Sequence, residues 1–239
     1  NNGDGSPLEP ALARRLSDAV ASERGRLLLI TDRPQLDRCA DALAESDRLR
    51  FLSPDLHDSM FRELRWPGRD SLHDGIDVRS LELGPLELAS LSITVRPEVM
   101  ALLGDWEGGS LLMTRAKAAI NSCSALAVVA IENSLPASYL AGGMAVERLW
   151  IEAQQAGLSV QPYSPASVYA VDDEAFVELG GERFAQSLRH ADHLFRSASG
   201  LPDGACVALV LRLCTNAPPA SVKSFRRPLD HQTVTQRER

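Results

Sequence analysis

The chain has 239 residues, of which 44% are hydrophobic and 24% charged, and its formal net charge is −7. This composition is typical of a globular domain with a sizeable core, and an acidic chain lacks the concentrated basic surface that nucleic-acid binding requires. The chain has no apolar run near the roughly 20 residues of a membrane-spanning helix, and its four cysteines lack the Cys-x-x-Cys spacing. We therefore expect a cytoplasmic protein with free thiols that binds neither nucleic acid nor a membrane.

The first half of the chain has helical patterning around one apolar run. Ser6-Pro7-Leu8-Glu9 supplies a capping hydroxyl and a first-turn proline for a helix over about residues 7–24. Gly25 ends that helix, and the aliphatic run 26–31 predicts a buried strand. Further helices are expected over about residues 32–50 and 53–65, in pieces between 86 and 103, and over 110–122.

Residues 66–85 interrupt this patterning, because turn-forming residues recur every few positions. A loop of this length in a compact domain is usually functional or disordered. We interpret the segment either as a lid over a site or as a plain connector that carries one anchoring residue, Trp66.

The most regular pattern follows a predicted central strand at Ala125–Ile131. A helix is expected over Gly142–Ala156, in the middle of the domain, and Gly157 stands where a left-handed C-cap is needed. Alternating residues then predict a short strand that ends near Pro162. The helix positions that we expect to be largely buried are Leu140, Met144, Leu149 and Ala153.

The last part of the chain alternates short elements with loops. Short strands or turns are expected at 167–171 and 175–177, a helix over 182–199, and a buried strand at 205–213. His190 and His193 lie one helical turn apart, but no third ligand has a persuasive spacing, so we predict no metal site. We divide the chain into a linker (1–5), one domain (6–230) and a solvated tail (231–239).

The segment from Gly142 to Pro165 resembles the core helix and following strand of the nitroreductase superfamily of flavin enzymes, most closely its divergent, two-halved actinobacterial branch. The shared pattern is Gly-x-Ala-x-Glu-Arg-Leu-Trp-x-Glu-Ala, a Gly-Leu stop and a strand that ends in Gln-Pro-Tyr-Ser. Other matches are Glu63-Leu64, Trp66, Asp74-Gly75-Ile76 and the basic pair Arg226-Arg227 before Pro228. In that branch, the segment that contains Trp66 leads to a part of the chain that can cover the flavin.

This resemblance implies an α+β fold with a central, mainly antiparallel sheet flanked by helices, and an FMN site at a homodimer or pseudo-dimer interface. In the family, the strand end offers backbone groups to the isoalloxazine ring, while the basic pair contacts the flavin phosphate. The implied cofactor-binding residues are Gln161, Pro162, Tyr163, Ser164, Arg226 and Arg227. No catalytic side chain and no metal ligand is implied, because the flavin carries the redox chemistry.

The implied function is hydride transfer from NAD(P)H to FMN and then to a nitro or quinone-type small-molecule acceptor. The alternative is a non-enzymatic module of the same fold that stores flavin or mediates interactions in a larger multidomain protein. Two family elements do not occur here: an opening Arg-Arg-Ser or Arg-Arg-Thr-x-Arg and a Ser-x-x-Asn-x-Gln-Pro-Trp segment. Because Asn1-Asn2-Gly3 resembles the loop just after the arginine element, we expect a C-terminal fragment of a longer protein.

Overall fold

A computed structural model describes residues 3–106 and 108–222. The helices of this part are α1 (Pro10–Ala21), α2 (Arg33–Leu52), α3 (Pro54–Arg62), α4 (Pro85–Thr94), α5 (Pro97–Asp105), α6 (Ser110–Asn121), α7 (Pro136–Gln155), α8 (Ala166–Tyr169) and α9 (Asp173–Ser199). The strands are β1 (Arg26–Ile30), β2 (Leu64–Arg65), β3 (Ile76–Asp77), β4 (Ala125–Ile131), β5 (Ser159–Tyr163) and β6 (Cys206–Cys214). A 3-10 turn at Val78–Leu81 follows β3.

The main sheet has four strands in the order β1-β4-β6-β5, and every neighbouring pair is antiparallel. All seven residues of β4 are buried, as expected for the strand predicted to be central. The strands β2 and β3 form a separate two-residue parallel pair. The sheet is therefore mainly antiparallel, as the sequence analysis predicted.

Helices cover both faces of this sheet. On one face, α1 and α7 enclose a core that contains Leu16 and Leu149. On the other face, α2, α6 and α9 pack over a second core that contains Leu43, Ile120 and Phe195. The α+β architecture with a sheet flanked by helices is thus confirmed.

Helix α7 is the helix that the sequence predicted, but it begins at Pro136, six residues earlier than expected. Gly157 follows it with a φ of 76°, which confirms the left-handed C-cap. Leu149 and Ala153 are fully buried, as predicted. The predicted burial of two further residues is wrong, because Leu140 and Met144 are 70% and 49% exposed.

The buried stripe of α7 explains this error. It comprises Gly142, Ala145, Leu149 and Ala153, so three of the four residues that face the sheet are small. A Cβ atom at Gly142 would lie 2.8 Å from the side chains of both Ala208 and Ile131. The long side chains of Leu140 and Met144 lie outside this stripe. Helical periodicity alone had placed them on the buried side of the helix.

The prediction of short strands or turns at 167–171 and 175–177 is also wrong, because the chain is helical in most of both stretches. The β-branched residues in these stretches favour strands, but hydrogen bonds to α2 and to a capping side chain stabilise helices there instead. The Ser46 hydroxyl accepts a hydrogen bond from the Ala166 N–H at 3.0 Å, at the start of α8. Asp172 caps α9 by accepting from the Ala175 N–H at 2.9 Å.

The segment 66–85 is folded on itself around the β2–β3 pair. Arg65 donates from Nε to Asp74 at 2.8 Å, and the Ile76 N–H donates to the Glu63 carbonyl at 2.7 Å. Whether this segment serves as a lid stays a prediction. In the described ranges, no helix has both the length and the hydropathy that crossing a membrane would require.

Candidate functional site

The predicted site lies on β5, which forms one edge of the main sheet. Its only strand partner in the described chain is β6, with Gln161 opposite Arg212 and Pro162 opposite Leu211. Proline has no N–H and therefore occupies edge positions that face away from the neighbouring strand. Main-chain groups alternate along an antiparallel strand, so the Pro162 carbonyl points outward, followed by the Ser164 N–H just past the strand end.

Tyr163 connects this edge to α2. Its hydroxyl donates a hydrogen bond to Oδ2 of Asp47 at 2.5 Å. Burial raises the pKa of Tyr163 well above its ordinary value of 10.0, so the hydroxyl stays protonated near neutral pH. Burial also raises the pKa of Asp47, although the bond from Tyr163 and the charge of Arg50 act against this shift. The Tyr163 side chain thus anchors the strand, and its hydroxyl is directed to α2.

Gln161 is held by a buried charge on the neighbouring strand. Arg212 lies in the apolar strand β6 and is only 3% exposed. Its guanidinium donates to the Gln161 side-chain oxygen and, at 3.3 Å, to the hydroxyl of Ser122 at the end of α6. A buried guanidinium is costly unless it is hydrogen-bonded, so this group fixes the side chains around it. It also places a positive charge beside β5, on the paired strand β6.

The space between β5 and α2 is nearly filled. A cavity of about 10 Å³ lies beside Ser164 and is lined mainly by α2, α8 and α9 residues, including Ser46, Arg50 and Tyr169. This volume holds about one water molecule. A planar ring cannot enter there, whereas Gln161 and Pro162 are exposed on the outer side of β5. The outward carbonyl and N–H groups suit the edge of such a ring.

The structure describes four of the six predicted site residues. Gln161 and Pro162 are exposed and Tyr163 and Ser164 are half-buried, all at the end of β5. Arg226 and Arg227 lie outside the described residues, so the phosphate contact stays a prediction. Sequence reasoning missed Asp47 and Arg212. An arginine within an apolar strand was a usable signal for the latter.

The cysteine thiols and the potential metal ligands are the other reactive groups of the described chain. Burial raises the pKa values of Cys39 and Cys123 to about 12 each, so both thiols stay protonated near neutral pH. All four cysteines are buried and unbridged. Within residues 3–106 and 108–222, no three His, Cys, Asp or Glu side chains converge as metal ligands would.

A relative with substantial sequence identity occurs in Mycobacterium tuberculosis. The uncharacterized protein MT1398 is 40% identical over 229 residues, which is 95% of this chain and 32% of that protein. The chain therefore spans about a third of the length of this curated relative. No family model matches the chain.

The fold is similar to that of solved oxidoreductase structures. The hypothetical oxidoreductase YcnD from Bacillus subtilis superposes with a TM-score of 0.51 at 9% identity, over 99% of this chain and 69% of that one. A nitroreductase with bound FMN from Bacteroides fragilis gives a TM-score of 0.49 at 12% identity, over 94% and 86%. The chain has the predicted nitroreductase-like α+β fold, and at these identities the likeness concerns the fold alone.

Proposed function

We propose that this chain is an FMN-binding oxidoreductase domain that takes hydride from NAD(P)H and passes electrons to a nitro or quinone-type acceptor. The observation that carries the proposal is the outer edge of β5, where the Pro162 carbonyl and the Ser164 N–H are offered outward in a nitroreductase-like fold. The YcnD protein is described as a hypothetical oxidoreductase, and the proposal extends this likeness from fold to activity.

Each residue of the site has a distinct role in this proposal. The main chain of residues 161–164 orients the ring, while Tyr163 and Arg212 keep that main chain in place through their hydrogen bonds. Arg226 and Arg227 hold the phosphate, because a guanidinium fork meets phosphate oxygens bidentately. The bound FMN supplies the hydride chemistry, and the protein supplies binding and orientation.

The proposal also concerns the protein around this domain. The mycobacterial relative is about three times as long as the matched segment, which supports the proposal that this chain is a domain of a longer protein. Its mycobacterial source supports the proposal that the chain belongs to the actinobacterial, two-halved branch. A two-halved site requires a homodimer or an internal pseudo-dimer. We place the protein in the cytoplasm, where the four free thiols persist.

A visible absorption spectrum after incubation with FMN and gel filtration tests the proposal. Yellow protein that oxidises NADPH or NADH when a quinone is added is the expected result. Yellow protein without turnover would favour flavin storage instead. Colourless protein that does not quench FMN fluorescence would contradict cofactor binding and favour an interaction module. Heat-unfolded protein serves as the control for non-specific retention of FMN.

A further inference from the structure

Gln161 differs from its neighbours on β5 in which of its groups can meet a ligand. It precedes Pro162 in the strand and is exposed. Main-chain groups alternate in direction along an antiparallel strand, so those of Gln161 face β6 when the Pro162 carbonyl points outward. On β6, Gln161 lies opposite Arg212. The side chain is therefore the part of Gln161 that can contact a molecule at the outer edge of β5.

Arg212 fixes the direction in which the carboxamide of Gln161 points. A guanidinium has only donors and no acceptor, so the amide atom that faces it must be the oxygen. Arg212 accordingly donates a hydrogen bond to Oε1 of Gln161. Because Oε1 and Nε2 diverge from the same carbon, Nε2 and its two N–H donors are directed away from the guanidinium. The amide thus presents donors, and not an acceptor, on the side away from β6.

The anchor of this amide is nearly immobile and carries a charge. Arg212 is 3% exposed, and it also donates to the hydroxyl of Ser122 at 3.3 Å. Burial raises the pKa of Tyr163, and the charge of Arg212 acts against this shift, so the field of the guanidinium reaches the end of β5. Hydrogen bonds in a chain polarise one another. The bond from Arg212 to Oε1 therefore makes the N–H groups of Gln161 stronger donors.

The flavin ring has acceptors that suit these donors, namely the carbonyl oxygens at its C2 and C4 positions. We propose that the side-chain amide of Gln161 donates a hydrogen bond to one of these two oxygens. Arg212 is then a positioning residue that directs the amide. This inference rests on the proposed function, and it adds a side-chain contact to a site that otherwise binds the ring through the main chain of Pro162 and Ser164.

Substitutions of Gln161 test the donor. A neutral hydrogen bond corresponds to about a three- to tenfold change in affinity, so Gln161→Met should weaken FMN binding by about that factor. Gln161→Glu keeps an oxygen for Arg212 but presents a second oxygen to the ring carbonyl, so it should weaken binding further. Fluorescence quenching of FMN measures the affinities. Gln155→Met, at an exposed glutamine that ends α7, is the matched control and should leave the affinity unchanged.

FMN analogues with sulfur in place of one ring oxygen identify the contact. Sulfur is a weak acceptor, so the wild type should bind either 2-thio-FMN or 4-thio-FMN about three- to tenfold more weakly than FMN. Gln161→Met should reduce this discrimination for one of the two analogues. Arg212→Met should reduce it for the same analogue, because the amide can then turn, whereas Arg212→Lys should retain part of it. If Arg212 only stabilised the fold, its replacement would leave the discrimination unchanged.

The possible outcomes separate this inference from the proposed function. Urea unfolding checks that the variants fold, and Arg212→Met should fold because an apolar residue often replaces a buried ion at little cost. A wild type that does not bind FMN would contradict both the proposed function and this inference. Equal FMN affinity in the wild type and both Gln161 variants would overturn this inference alone. Weaker binding by these variants, with unchanged discrimination against both analogues, would place the contact elsewhere on FMN and would also overturn it.

Discussion

Two aspartates carry carboxyl groups whose pKa values move in opposite directions. The Ser6 N–H and the Asn216 side chain hydrogen-bond to Asp4 and lower its pKa from 3.8 to about 2. Burial beside β5 raises the pKa of Asp47 above 3.8. Folding stability therefore depends on these two residues with opposite signs as the pH changes.

We predict opposite pH trends for the two asparagine variants. The stabilising contribution of Asp4 is present above pH 3.8 and is lost as the pH falls toward 2. The Asp4→Asn variant should therefore be less stable than the wild type mainly above pH 3.8. The native state with Asp47 binds its proton more tightly than the unfolded state does, so wild-type stability falls as the pH rises above 3.8.

Asp47→Asn removes this penalty and should gain stability relative to wild type as the pH rises. Urea unfolding of all three proteins between about pH 3 and 7 measures both trends. Parallel pH profiles of the wild type and the Asp47→Asn variant would contradict the assignment of a raised pKa to this carboxyl.

The basic pair provides a direct test of the phosphate contact. A charge-assisted hydrogen bond contributes about 1.5–3 kcal/mol, so replacing Arg226 and Arg227 together by alanine should weaken FMN binding at least about tenfold. Fluorescence quenching of FMN measures the affinity. Ser164→Ala is the control and should change it little, because the expected contact there is made by the main chain. Unchanged affinity in the double variant would mean that the pair is ordinary surface charge.

Leu149 and Leu140 form a matched pair on α7. Leu149 is fully buried and Leu140 is 70% exposed. Leu149→Ala should lower the free energy of unfolding by about 2–5 kcal/mol, because it removes buried contacts and leaves a cavity. Leu140→Ala should change it by less than about 0.5 kcal/mol. Denaturant unfolding compares them, and equal effects would refute the observed orientation of the helix.

At the scale of single residues, the sequence predicted the strand β5 better than the side chains that hold it in place. The motif located β5 directly, because Gly157 marks the end of the preceding helix and Pro162 marks the end of the strand. Asp47 could not be predicted, because a carboxylate within a helix normally faces solvent and its partner Tyr163 is 116 positions away. Long-range side-chain pairs leave no local pattern.

At the scale of elements, two adjacent glycines of α7 test how closely the helix approaches the sheet. A Cβ at Gly142 would meet Ala208 and Ile131 at 2.8 Å, whereas a Cβ at Gly143 would meet no atom within 4 Å apart from its chain neighbours and the nearby backbone of its own helix. Gly142→Ala should therefore cost about 1–3 kcal/mol through overpacking. Gly143→Ala should stabilise the helix by about 0.5–1 kcal/mol. Thermal unfolding ranks the variants, and stabilisation by both would show that the helix–sheet spacing can relax.

Elements with strong local signals were predicted well, and those set by tertiary contacts were not. α2 and β4 follow from a capping residue and an aliphatic run, and they form close to the expected bounds. The predicted cap of α1 is wrong, because that helix begins at Pro10 after Glu9, without a side-chain capping bond, and not at Pro7 after Ser6. α8 is a single turn whose first N–H bonds to Ser46 of α2, which no local pattern reveals. α9 continues through Gly181, whose φ of 65° interrupts the helical geometry, so the sequence showed only its second part.

At the scale of the whole molecule, α4 is unusual because none of its residues is buried although half of them are apolar. Leu86 on α4 and Leu111 on α6 are each 81% exposed, and Trp106 just after α5 is 75% exposed. Glu87 on α4 and Arg115 on α6 form an ion pair of 3.5 Å, so these two helices lie close together. Large apolar side chains exposed together on neighbouring helices often mark an interaction site.

We therefore expect this surface to form the homodimer or pseudo-dimer interface that the sequence predicted. Sedimentation velocity of the chain should show a concentration-dependent dimer, and Leu111→Asp should shift it toward monomer because it places a charge in an apolar contact. Leu140→Asp, on an exposed position of α7, is the matched control and should leave the dimer intact. A monomer at every concentration, unaffected by either substitution, would exclude the homodimer. It would leave this surface to another domain of a longer protein, which should then bind wild type more tightly than Leu111→Asp.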